Sequence, residues 1–195
     1  PVAVPSQDMV LGIYYLTQER PGAEGEGKFF KSVNEAILAY ENGIIKLHSK
    51  IKVRMTKTLP NGEIKTGTIE STLGRLLFNE IIPQDLGFVD RTIEGNELLP
   101  EIDFLVGKKQ LKKILEKVIN THGATATAEV LDNVKAIGYK YSTRAAMTVS
   151  ISDMTVPPQK PQMIQEAQDT VDRITKNFKR CLLYTSDAAD EGLGV

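Results

Sequence analysis

The chain has 195 residues, of which 41% are hydrophobic and 6% aromatic, a length that suits one domain with an apolar core, or one domain and an appendage. No apolar run approaches the roughly 20 residues that a membrane helix needs, and a net charge of −1 lacks the basic excess of an autonomous nucleic-acid binder. Because Cys181 is the only cysteine, an internal disulfide is excluded, and a reducing compartment is favoured.

The first residues predict a short helix followed by a loop. Ser6, Gln7 and Asp8 each carry an oxygen that can cap a helix running through Tyr15. The glycine-rich stretch PGAEGEG then predicts a loop, and KFF a short strand.

The next stretch, SVNEAILAYENG, predicts a helix with defined ends. Ser32 and Glu35 have the spacing of a capping box, and Gly43 lies where a left-handed C-cap is expected. The inner face would consist of Ala36, Ile37 and Tyr40.

A β-hairpin is predicted over residues 50–70. Its first strand alternates buried and solvated positions, because Ile51, Val53 and Met55 are separated by polar residues. Asn61-Gly62 is a favoured dipeptide for a type I′ turn.

Three helices are predicted after the hairpin. STLGRLLFNEIIP would be capped by Ser71 or Thr72 and would stop before Pro83, and residues 84–103 read as loop. GKKQLKKILEKVINTHG should end at Gly123, and ATAEVLDNVKAIG at Gly138. The first of these two has a buried stripe of Leu111, Ile114, Leu115 and Val118.

The C-terminal part predicts an irregular stretch, a short strand, the stiff break PPQKP and a last helix from Pro161. The apolar positions of this helix follow a 3-4-3-4 spacing, which makes a narrow seam suited to one antiparallel partner helix. They are Ile164, Ala167, Val171, Ile174 and Phe178. Residues 181–195 have no period and carry three acids and no base, so we expect them to be foreign to the domain.

No reactive constellation emerges from the sequence. His48 and His122 are far apart and stand in no motif, so surface or core roles are favoured. No spacing of His, Cys and carboxylates indicates zinc or iron. The loop PGAEGEG lacks the strand-loop-helix context of a phosphate cradle, and its two glutamates would repel phosphate.

Basic side chains offer the remaining candidates for binding. Lys109, Lys112, Lys113 and Lys117 would share one helix face, with Lys108 beside them, and could attract phosphates or form an ordinary solvated face. A second anion candidate is Arg75, since it lies near a helix N-terminus, although a surface arginine is the alternative.

Several segments resemble the bacterial DNA-directed RNA polymerase β′ subunit. They are PSQDMVLGIYYLT, GEGKFF, AYENG, LHSKIKV, STLGRLLFNEIIP, IGYKYSTRAAMTVSISDM and NFKR, which follow the family's order and spacing from residue 1 to about 180. The resemblance implies an internal stretch of that subunit, downstream of its catalytic Asn-Ala-Asp-Phe-Asp-Gly-Asp loop. Ala146 and Ser150 depart from it, because relatives often have glycine there.

The resemblance implies an α+β fold with a small β-hairpin sheet and four parts. Residues 1–20 would end the active-site barrel region, residues 21–158 would form the pore or funnel domain, and residues 159–180 would be the first, truncated and projecting arm of a rim hairpin. Residues 181–195 depart from the family and resemble translated adapter sequence.

The resemblance also implies a function. The stretch would line the secondary channel through which nucleoside triphosphates enter and backtracked RNA 3′ ends leave. Ser6, Gln7 and Asp8 match positions near the active centre. Arg75 and Arg144 match basic pore positions, and Lys108 and Lys109 join them as channel candidates. No catalytic or metal-binding residue is expected, so this stretch alone should be inactive.

Partners and cofactors are also implied only by the resemblance. The protein partners would be the β, α, ω and sigma subunits, with transcript-cleavage factors at the rim. The other partners would be the DNA template, the RNA transcript and nucleoside triphosphates, and no membrane association is expected. The subunit's magnesium and zinc would bind outside this stretch, and the location would be the bacterial cytoplasm, at the nucleoid. The alternative is a stand-alone interaction module. A small independent enzyme, the third possibility, would need a set of catalytic residues at suitable spacing, and the sequence shows none.

Overall fold

A computed structural model describes residues 4–58, 62–93 and 95–180. The chain divides into two compact units, the first ending at Met147 and the second beginning at Thr148. Helices and a small sheet occur together in the first unit, which confirms the predicted α+β class. Its elements are α1 (Asp8–Thr17), β1 (Phe29–Phe30), α2 (Val33–Glu41), β2 (Lys50–Thr58), β3 (Ile64–Thr72), α3 (Leu73–Glu80) and α4 (Lys108–Ala145).

The sheet has the order β1-β2-β3, with β1 parallel to β2 and β2 antiparallel to β3. Ile51, Val53 and Ile69 are buried on one face, as the alternating pattern predicted. The ladder between β2 and β3 runs from Lys50 opposite Thr72 to Thr58 opposite Ile64, and the type I′ turn at Asn61-Gly62 stays a prediction. Asn61 itself lies outside the described residues.

Side-chain caps begin two of the helices as predicted. The Ser32 hydroxyl accepts a hydrogen bond from the Glu35 N–H at 3.2 Å, and the Thr72 hydroxyl accepts one from the Arg75 N–H at 3.3 Å. The predicted side-chain cap of α1 is wrong, because Gln7 holds the N-cap position without a side-chain cap bond. One of the orphan N–H groups at that end is met by backbone, because the Met9 N–H donates to the Ser6 carbonyl at 3.2 Å.

Helix α4 differs most from the prediction. It breaks at Gly123, where φ is 78°, as predicted, but the following segment continues through Gly138 to Ala145. Gly138 does not end the helix because it is a packing residue: a Cβ on Gly12 of α1 would lie 1.8 Å from the Gly138 carbonyl oxygen. The left-handed terminus lies instead at Ala146, with a φ of 47°.

The core of the first unit forms from the apolar faces of these elements. Ile13 and Leu16 of α1, Leu73 and Phe78 of α3, and Ile51 of β2 are fully buried. The stripe predicted for the first half of α4 is buried as well, at Leu111, Ile114, Leu115 and Val118. Residues 84–103 contain no helix or strand among those described, as predicted.

The second unit has a 3₁₀ turn at Ile151–Asp153 and helix α5 at Lys160–Lys179. The short strand predicted here is wrong, because Ser150 and Asp153 form a reciprocal capping box that holds the backbone in a turn. The predicted last helix is confirmed, and none of its residues is buried. Residues 181–195, the predicted foreign tail, lie outside the described residues. No helix within the described ranges combines the length and apolarity of a membrane span.

Candidate functional site

Arg75 is a buried arginine at the start of α3, only 9% exposed. Its Nε donates to the Thr17 carbonyl oxygen at 3.1 Å, which satisfies a carbonyl at the end of α1. Its Nη1 lies 3.0 Å from Glu19 Oε2 and 3.4 Å from Asp103 Oδ1. The guanidinium is therefore bonded to protein groups from two other segments.

Two further hydrogen bonds extend this cluster. The Ser71 hydroxyl donates to Asp103 Oδ1 at 2.7 Å, and the Val106 N–H donates to the Thr17 hydroxyl at 3.0 Å. Together with Arg75, they join the end of α1, the start of α3 and the approach to α4. These contacts describe a structural role for Arg75, and its role in the nucleotide path stays a prediction.

The lysines at the start of α4 form an exposed basic surface. We define the α4 lysine surface as Lys108, Lys109, Lys112 and Lys113, all exposed. The first turn of α4 contains no acidic residue, so the positive end of the helix dipole adds to their charge. Such a surface attracts phosphate groups through its summed field.

Lys117 differs from these four lysines because it is held within the protein. Its Nζ donates to the Gly87 carbonyl at 2.9 Å and lies 4.0 Å from the centre of the Phe88 ring. The cation therefore anchors the loop before α4 to the helix. The spacing of the lysines in the sequence grouped Lys117 with the other four. That spacing gives no information on where the loop at Gly87 and Phe88 lies, so the contact with Lys117 could not be predicted.

The remaining candidates lie on two helices that pack directly against each other. Ser6, Gln7 and Asp8 are exposed at the start of α1, and Arg144 is exposed in the last turn of α4. Gln7 has a φ of 52° and a ψ of −124°, a conformation that a non-glycine residue adopts only at a cost. Within the described ranges, no hydrogen bond or ion pair joins any of the seven predicted site residues to another.

Both histidines have the structural surroundings that their lack of motif indicated. His48 is 5% exposed, its Nε2 lies 2.7 Å from the Tyr15 carbonyl oxygen, and its ring meets Tyr15 edge to face. Burial lowers the pKa of His48, so the neutral ring is favoured in the folded protein. His122 is paired with Asp85 at 2.7 Å.

Sequence reasoning missed a buried polar network under the long loop. Glu101 is 1% exposed, accepts from the Phe88 N–H at 2.8 Å and pairs with Arg91 at 3.0 Å. The Asn79 amide bridges the loop to α3: it donates to the Ile102 carbonyl at 2.7 Å and accepts from the Ile102 N–H at 2.9 Å. No sequence signal marks these residues, because their burial depends on how the loop folds back.

The neighbouring Lys57 also belongs to this network. Its Nζ donates to the Leu99 carbonyl at 3.1 Å. Burial, with the nearby positive charge of Arg91, lowers the pKa of Lys57.

The described residues contain no group of three or more His, Cys, Asp or Glu side chains that could hold a metal ion. The geometry therefore consists of structural polar clusters and exposed basic surfaces.

The α+β unit described above falls within a known class of transcription protein. A sequence profile of the family RNA polymerase Rpb1, domain 3, matches residues 1–154, and the chain belongs to this family. The curated relatives of the chain define the class more specifically than the family does: they are DNA-directed RNA polymerase β′ subunits.

Three of these relatives show the extent of the similarity. The chain is 68% identical to the β′ subunit of Lachnoclostridium phytofermentans and 57% identical to that of Acetivibrio thermocellus, each over 183 residues and 94% of the chain. It is 47% identical to the Caldicellulosiruptor saccharolyticus subunit over 195 residues and 100% of the chain. The chain spans 15–17% of the length of these relatives.

Proposed function

We propose that this chain is the region of a DNA-directed RNA polymerase β′ subunit that walls the secondary channel. Nucleoside triphosphates would enter along it, and the 3′ end of backtracked RNA would leave along it. One observation carries the proposal: the 68% identity over 183 residues to a β′ subunit, in a chain whose residues 1–154 match a domain of the same subunit class.

The exposed basic side chains give the proposed channel wall its chemistry. The α4 lysine surface and Arg144 are exposed, whereas Arg75 is buried and bonded to protein groups. Nucleoside triphosphates and RNA carry several negative charges, so cations along their path raise local concentration without holding any one molecule tightly. In this proposal, these residues guide the nucleotide and perform no chemistry.

The start of α1 would face the active centre in the intact enzyme. Gln7 supports this assignment, because a strained backbone persists only where its surroundings hold it, and such positions are frequent at functional sites. Ser6 and Asp8 would contact groups that themselves touch substrate. The catalytic aspartates would come from a part of the subunit beyond this chain, so the chain alone would not synthesise RNA.

The partners follow from the same proposal. The β, α, ω and sigma subunits, the DNA template and the RNA transcript would contact the enzyme of which this region is part, and transcript-cleavage factors would approach α5. Magnesium and zinc of the intact subunit would bind residues beyond this chain. The enzyme would act in the bacterial cytoplasm, at the nucleoid.

A chimeric polymerase tests the channel role. Residues 1–180 replace the matching region of the Lachnoclostridium phytofermentans β′ subunit, and the enzyme is assembled with that organism's other subunits. We expect K108Q/K109Q and R144Q each to raise the KM for nucleoside triphosphates about two- to tenfold with little change in kcat, because the field along the path is weakened.

The control is R54Q, which removes an exposed arginine from the sheet. It should leave the KM unchanged, and the effect of the other substitutions should shrink at high salt as the charges are screened. An unchanged KM in both basic variants, measured at low salt, would contradict the channel role.

A further inference from the structure

The core-facing side of β2 ends in a lysine. Ile51, Val53 and Met55 occupy alternate positions on this side of the strand, and the same alternation places Lys57 next on it. Apolar side chains are expected at such positions, because an amine there loses part of its hydration. Lys57 is partly buried, so its amine lies at the edge of the core and not in open water.

The Lys57 amine lies beside a permanent cation and has no carboxylate of its own. Its Nζ donates to the Leu99 carbonyl at 3.1 Å, and Arg91 Nη1 donates to the same oxygen at 2.7 Å. The Glu101 carboxylate pairs with Arg91 at 3.0 Å, and no salt bridge in the described part of the chain includes Lys57. A neighbouring positive charge disfavours the protonated amine and favours the neutral one, which is the nucleophile.

The balance of these effects has a clear direction. Burial lowers the pKa of Lys57 and the Arg91 charge lowers it further, whereas the Glu101 charge raises it by less. At neutral pH a larger fraction of this amine is therefore unprotonated than of a solvated lysine.

Lys57 also lines a cavity of about 200 Å³. The Asn79 and Gln84 amides in the lining bond to each other at 3.1 Å, and among the described residues no ion pair joins Glu80 to Lys57. An apolar cavity of about 150 Å³ can hold benzene, so this one has room for a small apolar molecule. The apolar part of the lining comes from Val33, Met55, Leu76, Leu98 and Pro100.

We propose that Lys57 is a covalent binding site for small apolar aldehydes. The Nζ lone pair attacks the aldehyde carbon, the two amine protons pass to the carbonyl oxygen, and that oxygen leaves as water. The product is an imine between Nζ and the former carbonyl carbon, with the apolar chain of the ligand in the cavity. The proposal is independent of the channel function, because it rests on the contacts of Lys57 and its cavity alone.

Reductive trapping on the full chain tests the reactivity of this amine. The chain is treated with pentanal and sodium cyanoborohydride at about pH 7, and peptide mass spectrometry follows the alkylation of each lysine. We expect Lys57 to react at least about fivefold faster than Lys109, an exposed lysine of α4, since each unit by which a pKa is lowered gives about tenfold more neutral amine. Lys57 reacting no faster than Lys109 would overturn the proposal.

A second pair of measurements tests the cavity. V33F places a ring in it and should slow the reaction of Lys57 at least about threefold without affecting Lys109, with circular dichroism to verify the fold. Glycolaldehyde, a polar aldehyde, tests the same point without a substitution. Pentanal should give the higher ratio of Lys57 to Lys109 rates, because its chain is buried in the cavity. Equal ratios for the two aldehydes, or an unchanged Lys57 rate in folded V33F, would also overturn the proposal.

Discussion

Arg75 shows how a single side chain can join three segments of the chain. Its guanidinium satisfies the Thr17 carbonyl and pairs with Glu19 and Asp103. Substituting it with methionine keeps much of the apolar length but removes the donor to the Thr17 carbonyl and the cation that pairs with Glu19 and Asp103. We predict that R75M lowers the free energy of unfolding in urea by about 2–4 kcal/mol.

Two controls separate this role from a general effect of charge. R75K retains a cation but loses the planar fork, so we expect an intermediate loss. R54A removes an exposed arginine and should change stability by less than about 0.5 kcal/mol. An R75M protein as stable as the unsubstituted chain would show that the cluster contributes little to the fold.

His48 makes stability depend on pH in a predictable direction. Burial lowers its pKa in the folded chain below the 6.5 of a solvated histidine. As pH falls below that value the unfolded chain takes up a proton before the folded chain does, so the stability due to this group is present above it and is lost below it. We predict that the free energy of unfolding falls from about pH 7 to about pH 5, and that H48Q reduces this fall.

The glutamine amide can still donate to the Tyr15 carbonyl, so H48Q retains the hydrogen bond while removing the titration. H122Q is the matched control, because His122 lies in a partly exposed pair with Asp85. If H48Q leaves the pH profile unchanged, another group is responsible for it.

At the scale of elements, the crossing of α1 and α4 depends on two glycines. A Cβ on Gly12 would meet the Gly138 carbonyl oxygen at 1.8 Å and the Ser142 nitrogen at 2.8 Å, both backbone atoms. We predict that G12A lowers the free energy of unfolding by about 1–3 kcal/mol or more, since two helices must separate. Urea titration measures it.

Gly107 provides the comparison. An added Cβ there would meet only the tip of Gln110, at 3.2 Å. G107A should therefore cost less than about 1 kcal/mol, the scale of a changed helix cap. Equal costs at Gly12 and Gly107 would indicate that the helix crossing is not the cause.

The two longest helices should differ in their local stability. The first half of α4 buries a stripe of core residues, whereas α5 buries none. At concentrations where the chain is monomeric, we predict that amides from Gln165 to Phe178 exchange hydrogen far faster than those from Lys108 to Thr121. Equal protection in a monomeric sample would show that α5 is stabilised by contacts within the chain.

These elements also show what local sequence signals can predict. Ser32 and Thr72 were identified as caps because a cap is a matter of a few neighbouring residues. Gly138 was wrongly predicted to end a helix. Glycine is common both at helix ends and where two helices pack closely, and only the tertiary structure distinguishes these two roles. Ala146 shows the reverse: the resemblance marked it as a glycine position, and its φ of 47° gives the reason.

At the scale of the molecule, the family resemblance implied the α+β class, and the helix pattern alone was enough to predict the buried stripe of α4. The polar core was not predictable in this way. Arg75 and Glu101 are charged residues in segments that read as surface, and their burial depends on partners distant in sequence. For the candidate site, the sequence predicted the exposure of Lys108 and Lys109 but could not separate them from Lys117.

If this chain acts as a structural region of a β′ subunit, RNA synthesis by the chimeric polymerase is the most direct measurement of that role. The free chain is the control and should incorporate no nucleotide on a primed template. We predict that the chimera carrying residues 1–180 assembles and transcribes at a rate within about tenfold of the unmodified enzyme, since volume and pattern are retained in a closely similar core. A chimera that assembles fully yet makes no RNA, or template-directed synthesis by the free chain, would contradict the account.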